Sequence, residues 1–345
     1  MTRAMVLAAG RGTRLFPLTG EIPKPMAPVA DTPILQHILE LLSRSGVRDV
    51  YVNVHHLAEV VLGYYGWEAR VGNLAVHLSH EEELLGTAGS VKRLAEHFRE
   101  TFLVVMGDAL TDADLREIVR FHKERGALAT LALKRVRDTS QYGVVELDRD
   151  GYVVGFQEKP EPAEARSDLA NTGIYVLEPE ALRYIPDGVF FDFARDVFPR
   201  LLAAGEDFVG YESSFYWSDI GTLDAYRAAQ QDALSGKVKV RIPGRRRGLG
   251  VWTGQDSRVH PTVSFKGGGL VGRGAVVGRN VNLSGGTTVG ARCRVYPGAS
   301  VSRSILLPGA SIGEGAYLED CIVGPGYVVR PRDRICGGAL VRGSR

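Results

Sequence analysis

Short apolar runs recur through the first part of the chain, and stretches with helical spacing follow them. Residues 4–8 are the first run; Ile34, Ile38, Leu41 and Leu42 then mark one face of a helix that Gly46 stops. Runs at 50–54, 74–78, 102–105 and 129–133 continue the series, with helices expected around 90–98 and 115–123. This alternation predicts an α/β fold with a Rossmann-like, mostly parallel sheet, helices on both faces, and ligands in the loops at the carboxyl ends of the strands. Beyond Tyr142 the spacing shortens. Segments 143–147, 152–156, 173–176 and 208–211 read as hairpins added to that sheet, with helices near 193–202 and 225–233.

The last part follows a different period. Val271, Val277, Leu283, Val289, Val295, Val301 and Leu307 stand six apart, and four places after each come Ala275, Val281, Thr287, Cys293, Ala299, Ile305 and Ser311. A slip of one residue is expected before Ile312. A six-residue period with aliphatic plugs, small residues and frequent glycine predicts a left-handed parallel β-helix. A flexible tail has no reason to keep aliphatics in phase.

Composition sharpens the division. The 345 residues carry a formal net charge of +2, but residues 1–243 have a net charge of −8 and residues 244–345 one of +10. Of 42 glycines, 22 lie in 244–345, too many for packed helices. The expected organisation is a sheet domain at 1–236, a linker at 237–250 and the coil at 251–345. Cys293, Cys321 and Cys336 are odd in number and lack metal spacing, so neither a disulfide framework nor a zinc site is expected. No stretch has the roughly 18 consecutive apolar residues of a membrane span. The first apolar run ends in Gly-Arg-Gly rather than at a cleavage site, so a cytoplasmic location is expected. The basic charges of the coil are spread out and its aromatics form no stacking motif, which argues against nucleic acid or membrane as partner.

The strongest local signal is Leu7-Ala8-Ala9-Gly10-Arg11-Gly12-Thr13-Arg14, followed by Pro23-Lys24-Pro25. A glycine loop after the first strand offers backbone N–H groups to phosphate oxygens, and Arg14 and Lys24 add positive charge. The Walker pattern is absent. Further motifs follow in order: Leu85-Gly86-Thr87-Ala88-Gly89, Gly107-Asp108, Tyr142-Gly143, Glu158-Lys159-Pro160, Asn171-Thr172-Gly173 and Trp217-Ser218-Asp219-Ile220-Gly221.

Together these motifs resemble the sugar-1-phosphate nucleotidylyltransferases over nearly the whole chain, and among them the guanylyltransferases that end in a hexapeptide coil. The resemblance implies attack by a hexose 1-phosphate oxygen on the α-phosphorus of a nucleoside triphosphate, with loss of pyrophosphate. It assigns Arg14, Lys24 and Lys159 to catalysis, and Leu7, Ala8, Gly10, Gly12, Thr13, Glu81, Gly86 and Thr87 to the nucleotide. Gly143, Glu158 and Asn171 fall to the sugar, and Asp108 and Asp219 to a Mg²⁺ ion. Uridylyl- and thymidylyltransferases of the family tend to carry Gln where Glu81 stands. One carboxylate can accept both N1–H and N2–H of guanine, so GTP is favoured, with mannose 1-phosphate as acceptor. Thymidylyl, uridylyl or adenylyl transfer to glucose 1-phosphate, or a non-catalytic nucleotide-sugar sensor, are the alternatives. Acyl transfer on the coil is disfavoured, since His260 is its only histidine. The coil is expected to assemble a homo-oligomer, and its removal to alter assembly or stability more than chemistry.

Overall fold

Strand β1 (Arg3–Leu7) is apolar apart from its first residue and lies between two parallel neighbours, β2 (Asp49–Val54) and β5 (Phe102–Met106). Burial on both faces explains its unbroken hydrophobic run. The computed structural model describes residues 3–342. Residues 1–2 and 343–345, the ends of the expected 1–236 and 251–345 ranges, lie outside the described residues.

The chain packs as two units, one of Met1–Gly10 with Ile38–Trp217 and one of Arg11–His37 with Ser218–Arg345. In the first, β2 also pairs in parallel with β4 (Leu74–His80), and β3 (Glu68–Val71) closes that edge antiparallel to β4. Toward the other edge, β9 (Leu169–Leu177) runs antiparallel to both β5 and β6 (Ala129–Arg135). Strands β7 (Gly143–Leu147) and β8 (Val153–Glu158) form a hairpin against β9, and β10 (Phe208–Glu212) pairs in parallel with β6. Helices α1 (Ile34–Arg44), α2 (Ala58–Tyr65), α3 (Gly86–Arg93), α4 (Leu115–Arg125) and α5 (Phe198–Ala203) fall between strands in chain order. The core under β9 is aromatic: Tyr175, Phe193, Phe198 and Phe208 meet with ring centroids 5.1–5.6 Å apart. The expected α/β fold is present. Helix α2 and strand β3 were not foreseen, because their apolar residues do not keep one period.

In the second unit, short parallel strands stack into three faces, a β-helix as the six-residue period predicts. Val271, Val277, Leu283, Val289, Val295 and Val301 plug its interior, each at most 2% exposed. The slip comes earlier than expected. Val289 pairs with Leu306 and Val295 with Ile312, so Leu306, Ser304 and Ala310 take the places expected for Leu307, Ile305 and Ser311. One turn accounts for it: the Gly285-Gly286 pair of one rung is replaced on the next by Arg303 alone, with φ 45°.

The packing boundary also differs from the compositional one at 237–250. Residues 11–37 and helix α6 (Leu223–Ser235) belong with the coil. Tyr226 Oη and Gln230 Nε2 of α6 each donate to Pro28 O at 2.6 Å, and Ala30 N donates to Gln230 Oε1 at 2.8 Å. Composition changes where the glycines begin, whereas packing follows these long-range bonds.

Candidate functional site

In the first unit, the loop after β1 starts from a fixed point. Ala8 N donates to Asn53 Oδ1 at 2.7 Å, and Asn53 Nδ2 donates to Glu81 Oε1 and to Ser90 Oγ, both at 3.0 Å. Gly107 N donates to Leu7 O at 2.9 Å, and a Cβ on Gly107 would stand 3.1 Å from the Ala8 Cβ. That close approach places Asp108 beside the start of the loop. Gly10 is exposed, with no heavy atom within 4 Å of where its Cβ would be, which leaves room for a ligand against the backbone.

Several expected nucleotide residues have partners within the chain. Glu81 is 1% exposed and its carboxylate accepts from Asn53, so it supports the loop and presents no open face to a base. Thr87 Oγ1 donates to Asp192 Oδ2 at 2.8 Å and accepts from Phe193 N at 2.9 Å. A Cβ on Gly86 would meet Phe191 O at 2.5 Å, so this glycine admits the neighbouring chain. Asn53 and Asp192 were missed. The signal for Asn53 was an amide inside an otherwise apolar strand, since a buried amide needs partners.

At the sheet edge, Gly143 pairs with Glu158 across the β7–β8 hairpin, and a Gly143 Cβ would stand 3.0 Å from Glu158 Oε2. Lys159 has φ 47° and its ammonium stands 3.7 Å from Glu158 Oε1. Both side chains are exposed and able to meet a polar ligand. Asn171 opens a bulge in β9, where the register against β6 shifts before Tyr175. Its Nδ2 donates to Tyr175 Oη at 3.1 Å and its Oδ1 accepts from Gly173 N at 3.0 Å. Its first role is therefore to hold the bulge.

In the second unit, a cationic cluster surrounds Asp219. Arg14 Nη2 donates to Oδ2 at 2.7 Å and Lys24 Nζ to Oδ1 at 3.0 Å. Burial resists ionisation of Asp219, but Lys24 and then Arg14 outweigh it and hold its carboxyl below the usual range. Gly12 has φ 61°, and a Cβ there would stand 3.0 Å from the Lys24 Cβ. Thr13 is exposed at the start of the turn that ends in Leu15. Gly221 lets Arg14 approach: a Cβ there would lie 2.8 Å from Arg14 Nη1 and 2.7 Å from Asp219 Oδ2.

Asp219 thus accepts from two cations, whose N–H groups suit an anionic ligand as well. Among the described residues, no group of three or more His, Cys, Asp and Glu is placed to hold a metal. Mg²⁺ in general takes one or two carboxylates and completes its shell with phosphates and water. Asp219 supplies an ionised hard-oxygen donor.

Comparison with known proteins agrees with this chemistry. The family described as "Nucleotidyl transferase" matches residues 3–236. The chain belongs to that family. It is 38% identical to a Synechocystis UTP--glucose-1-phosphate uridylyltransferase, over 95% of this chain and 88% of that protein. A Mycobacterium tuberculosis mannose-1-phosphate guanylyltransferase is 36% identical over 82% of this chain and 78% of its own. The catalytic subunit beta of the Danio rerio mannose-1-phosphate guanylyltransferase is 32% identical over 93% and 86%. Among solved structures, a Bacillus anthracis protein assigned as a glucose-1-phosphate thymidylyltransferase superposes with TM-score 0.60 at 23% identity, covering 70% of this chain and 98% of its own, a likeness of fold. No helix among the described residues of this nucleotidyltransferase is long and apolar enough to cross a membrane.

Proposed function

We propose that this nucleotidyltransferase joins a nucleoside triphosphate and a hexose 1-phosphate into a nucleoside diphosphate sugar, with GTP and mannose 1-phosphate as the pair. The observation that carries the reaction type is the Arg14–Asp219–Lys24 cluster, two cations on one carboxylate and next in sequence to a glycine loop. The pair is supported by the guanylyltransferase relatives. UTP with glucose 1-phosphate is the second reading, favoured by the uridylyltransferase relative that spans 95% of the chain.

A phosphate oxygen of the sugar phosphate attacks the α-phosphorus, and the bond from that phosphorus to the bridging β-oxygen breaks as pyrophosphate leaves. The nucleophile is already anionic near neutral pH, so the chain needs no general base. Its work is positioning and charge. Arg14 meets the departing pyrophosphate, Lys24 the α-phosphate, and Lys159 the sugar phosphate. Leu7, Ala8, Gly10, Gly12 and Thr13 offer backbone to the triphosphate. Gly143 and Glu158 face the hexose hydroxyls, with Asn171 shaping that edge. We assign Asp108 and Asp219 to Mg²⁺, which when bound neutralises phosphate charge. Self-association through the coil is inferred from Val276, Tyr296 and Val328, each more than 40% exposed.

A pyrophosphate-release matrix of GTP, UTP, dTTP, ATP and CTP against mannose, glucose and N-acetylglucosamine 1-phosphates tests the proposal. The expected maximum is GTP with mannose 1-phosphate. A maximum at UTP with glucose 1-phosphate selects the second reading, and no turnover with any pair makes the chain a non-catalytic binder.

A further inference from the structure

We propose that the coil is the rigid seat of Lys24, and that Glu21 and Asp31 are positioning residues that clamp the segment carrying it. The proposal rests on the transfer reading above, in which Lys24 meets the transferring phosphate.

The argument begins at one corner of the coil. After the strands Gly269–Val271, Thr288–Val289, Ile305–Leu306, Ile322–Val323 and Ala339–Leu340, the chain turns at residues 272, 290, 307, 324 and 341. The next residues in each rung are Arg273, Ala291, Pro308, Pro325 and Arg342. A backbone N–H at such a turn lies outside the ladders and needs an acceptor when it is covered. Asp31 Oδ1 accepts from Ala291 N at 2.8 Å, and its carboxyl also accepts from the Arg273 backbone. Glu21 Oε1 accepts from Arg342 N at 2.7 Å. The two rungs between them carry proline, which has no N–H to satisfy. Carboxylates and donors match rung by rung.

The corner residues fit the same scheme. A Cβ on Gly272 would meet Asp31 Oδ2 and also Ala291 N of the coil, and one on Gly324 would meet Glu21 Oε2 and also Leu340 O. On the rung between, where no carboxylate docks, the corner residue is Leu307. From the rung of Ala291 to that of Arg342 is three steps, about 14 Å at the usual strand spacing. The Pro23-Lys24-Pro25 run lies in the chain between these two anchors, and the Lys24 side chain is 5% exposed.

The hairpin at the Asp31 end is held against its own preference. Ala30 and Asp31 have φ 49° and 62° in a two-residue turn that ordinarily takes Asn-Gly. Such a turn persists where its surroundings over-determine it. Here the surroundings are Ala291 of the coil and Gln230 of α6. A flexible lysine with a mobile backbone would meet a phosphate in many poses. Fixed at both ends of its segment, Lys24 has few.

The test uses the full-length chain with Glu21→Ala, Asp31→Ala and the two combined. With the preferred substrate pair, kcat is expected to fall at least tenfold while both KM values stay within about twofold. Glu21→Gln and Asp31→Asn keep an oxygen that accepts the same N–H, and are expected to restore kcat to within about threefold of the parent. Hydrogen exchange at Met26, Ala27 and Ile34, whose amides are bonded within the segment, is expected to quicken in the alanine variants. Folded alanine variants with parental kcat and unchanged exchange overturn the clamp. If Asp31→Ala does not fold, Glu21→Ala carries the same readouts. Should the parent turn over no substrate pair, the transfer reading fails, and the exchange measurement alone upholds or overturns the clamp.

Discussion

Asp219 accepts from both Arg14 and the buried Lys24, so removing it takes a counter-charge from each. Breaking a buried ion pair on one side is costly. Glu81 presents the opposite case, a carboxylate whose partner is an amide. Glu81→Gln keeps an oxygen for Asn53 Nδ2, so stability and the order of preference among nucleotides should both be retained. Glu81→Ala leaves Asn53 short of one partner and should cost about 1–3 kcal/mol of stability. Turnover should fall with it, because Asn53 also holds Ala8 N. Thermal unfolding and the nucleotide matrix check both variants, and a change of preferred base in Glu81→Gln would return this residue to base recognition. The sequence motif singled out Glu81. It could not show on which side of the carboxylate the partner stood, since Asn53 lies 28 residues away.

At the scale of elements, strands and helices with one clear period were legible, and irregular ones were not. The runs at 102–105 and 143–147 correspond to β5 and β7 within a residue, because burial of one face or both writes directly into the pattern. The bulge at Asn171-Thr172-Gly173 is invisible to periodicity. It depends on Gly173 at φ 74°, against Met106, whose Cγ a Cβ there would approach to 2.3 Å. Helix α4 shows how an element's docking sets its pH response. Its His122 is buried, with Nδ1 2.8 Å from Thr130 Oγ1 and Nε2 3.0 Å from Glu178 Oε1. Burial lowers the His122 pKa, only partly offset by Glu178. The unfolded chain therefore binds the proton more readily than the folded one below the ordinary histidine range of about 6.5. Stability from this site should be complete above that pH and decline as pH falls through it. A His122→Gln variant should lose less melting temperature between pH 7.5 and 5.5 than the parent does, by about 2–4 °C for each kcal/mol involved. Equal losses in the two proteins would remove His122 from the account.

For the whole molecule, charge and glycine content separated two bodies, and the hexapeptide period identified the second as a coil. They also suggested that the coil serves assembly and leaves chemistry to the rest. The bonds from Glu21 to Arg342, from Asp31 to Ala291 and from Arg227 to the Asp320 carbonyl argue otherwise, since they tie residues 11–37 and α6 to the coil. No local pattern could have shown this. The partners are up to 321 residues apart, and a single carboxylate in a loop looks the same whether it meets water or a turn of backbone. A chain ending at residue 243 would keep every residue proposed to touch substrate and lose the donors that fix Glu21 and Asp31. Its turnover should fall by more than about a hundredfold, as expected when a catalytic cation loses its placement. The first unit should still give a folded far-UV signal, and light scattering on both proteins reads the number of subunits. A truncated protein that keeps nearly full turnover but has fewer subunits would assign the coil to assembly alone. One that loses turnover with the subunit number unchanged would assign it to the placement of Lys24.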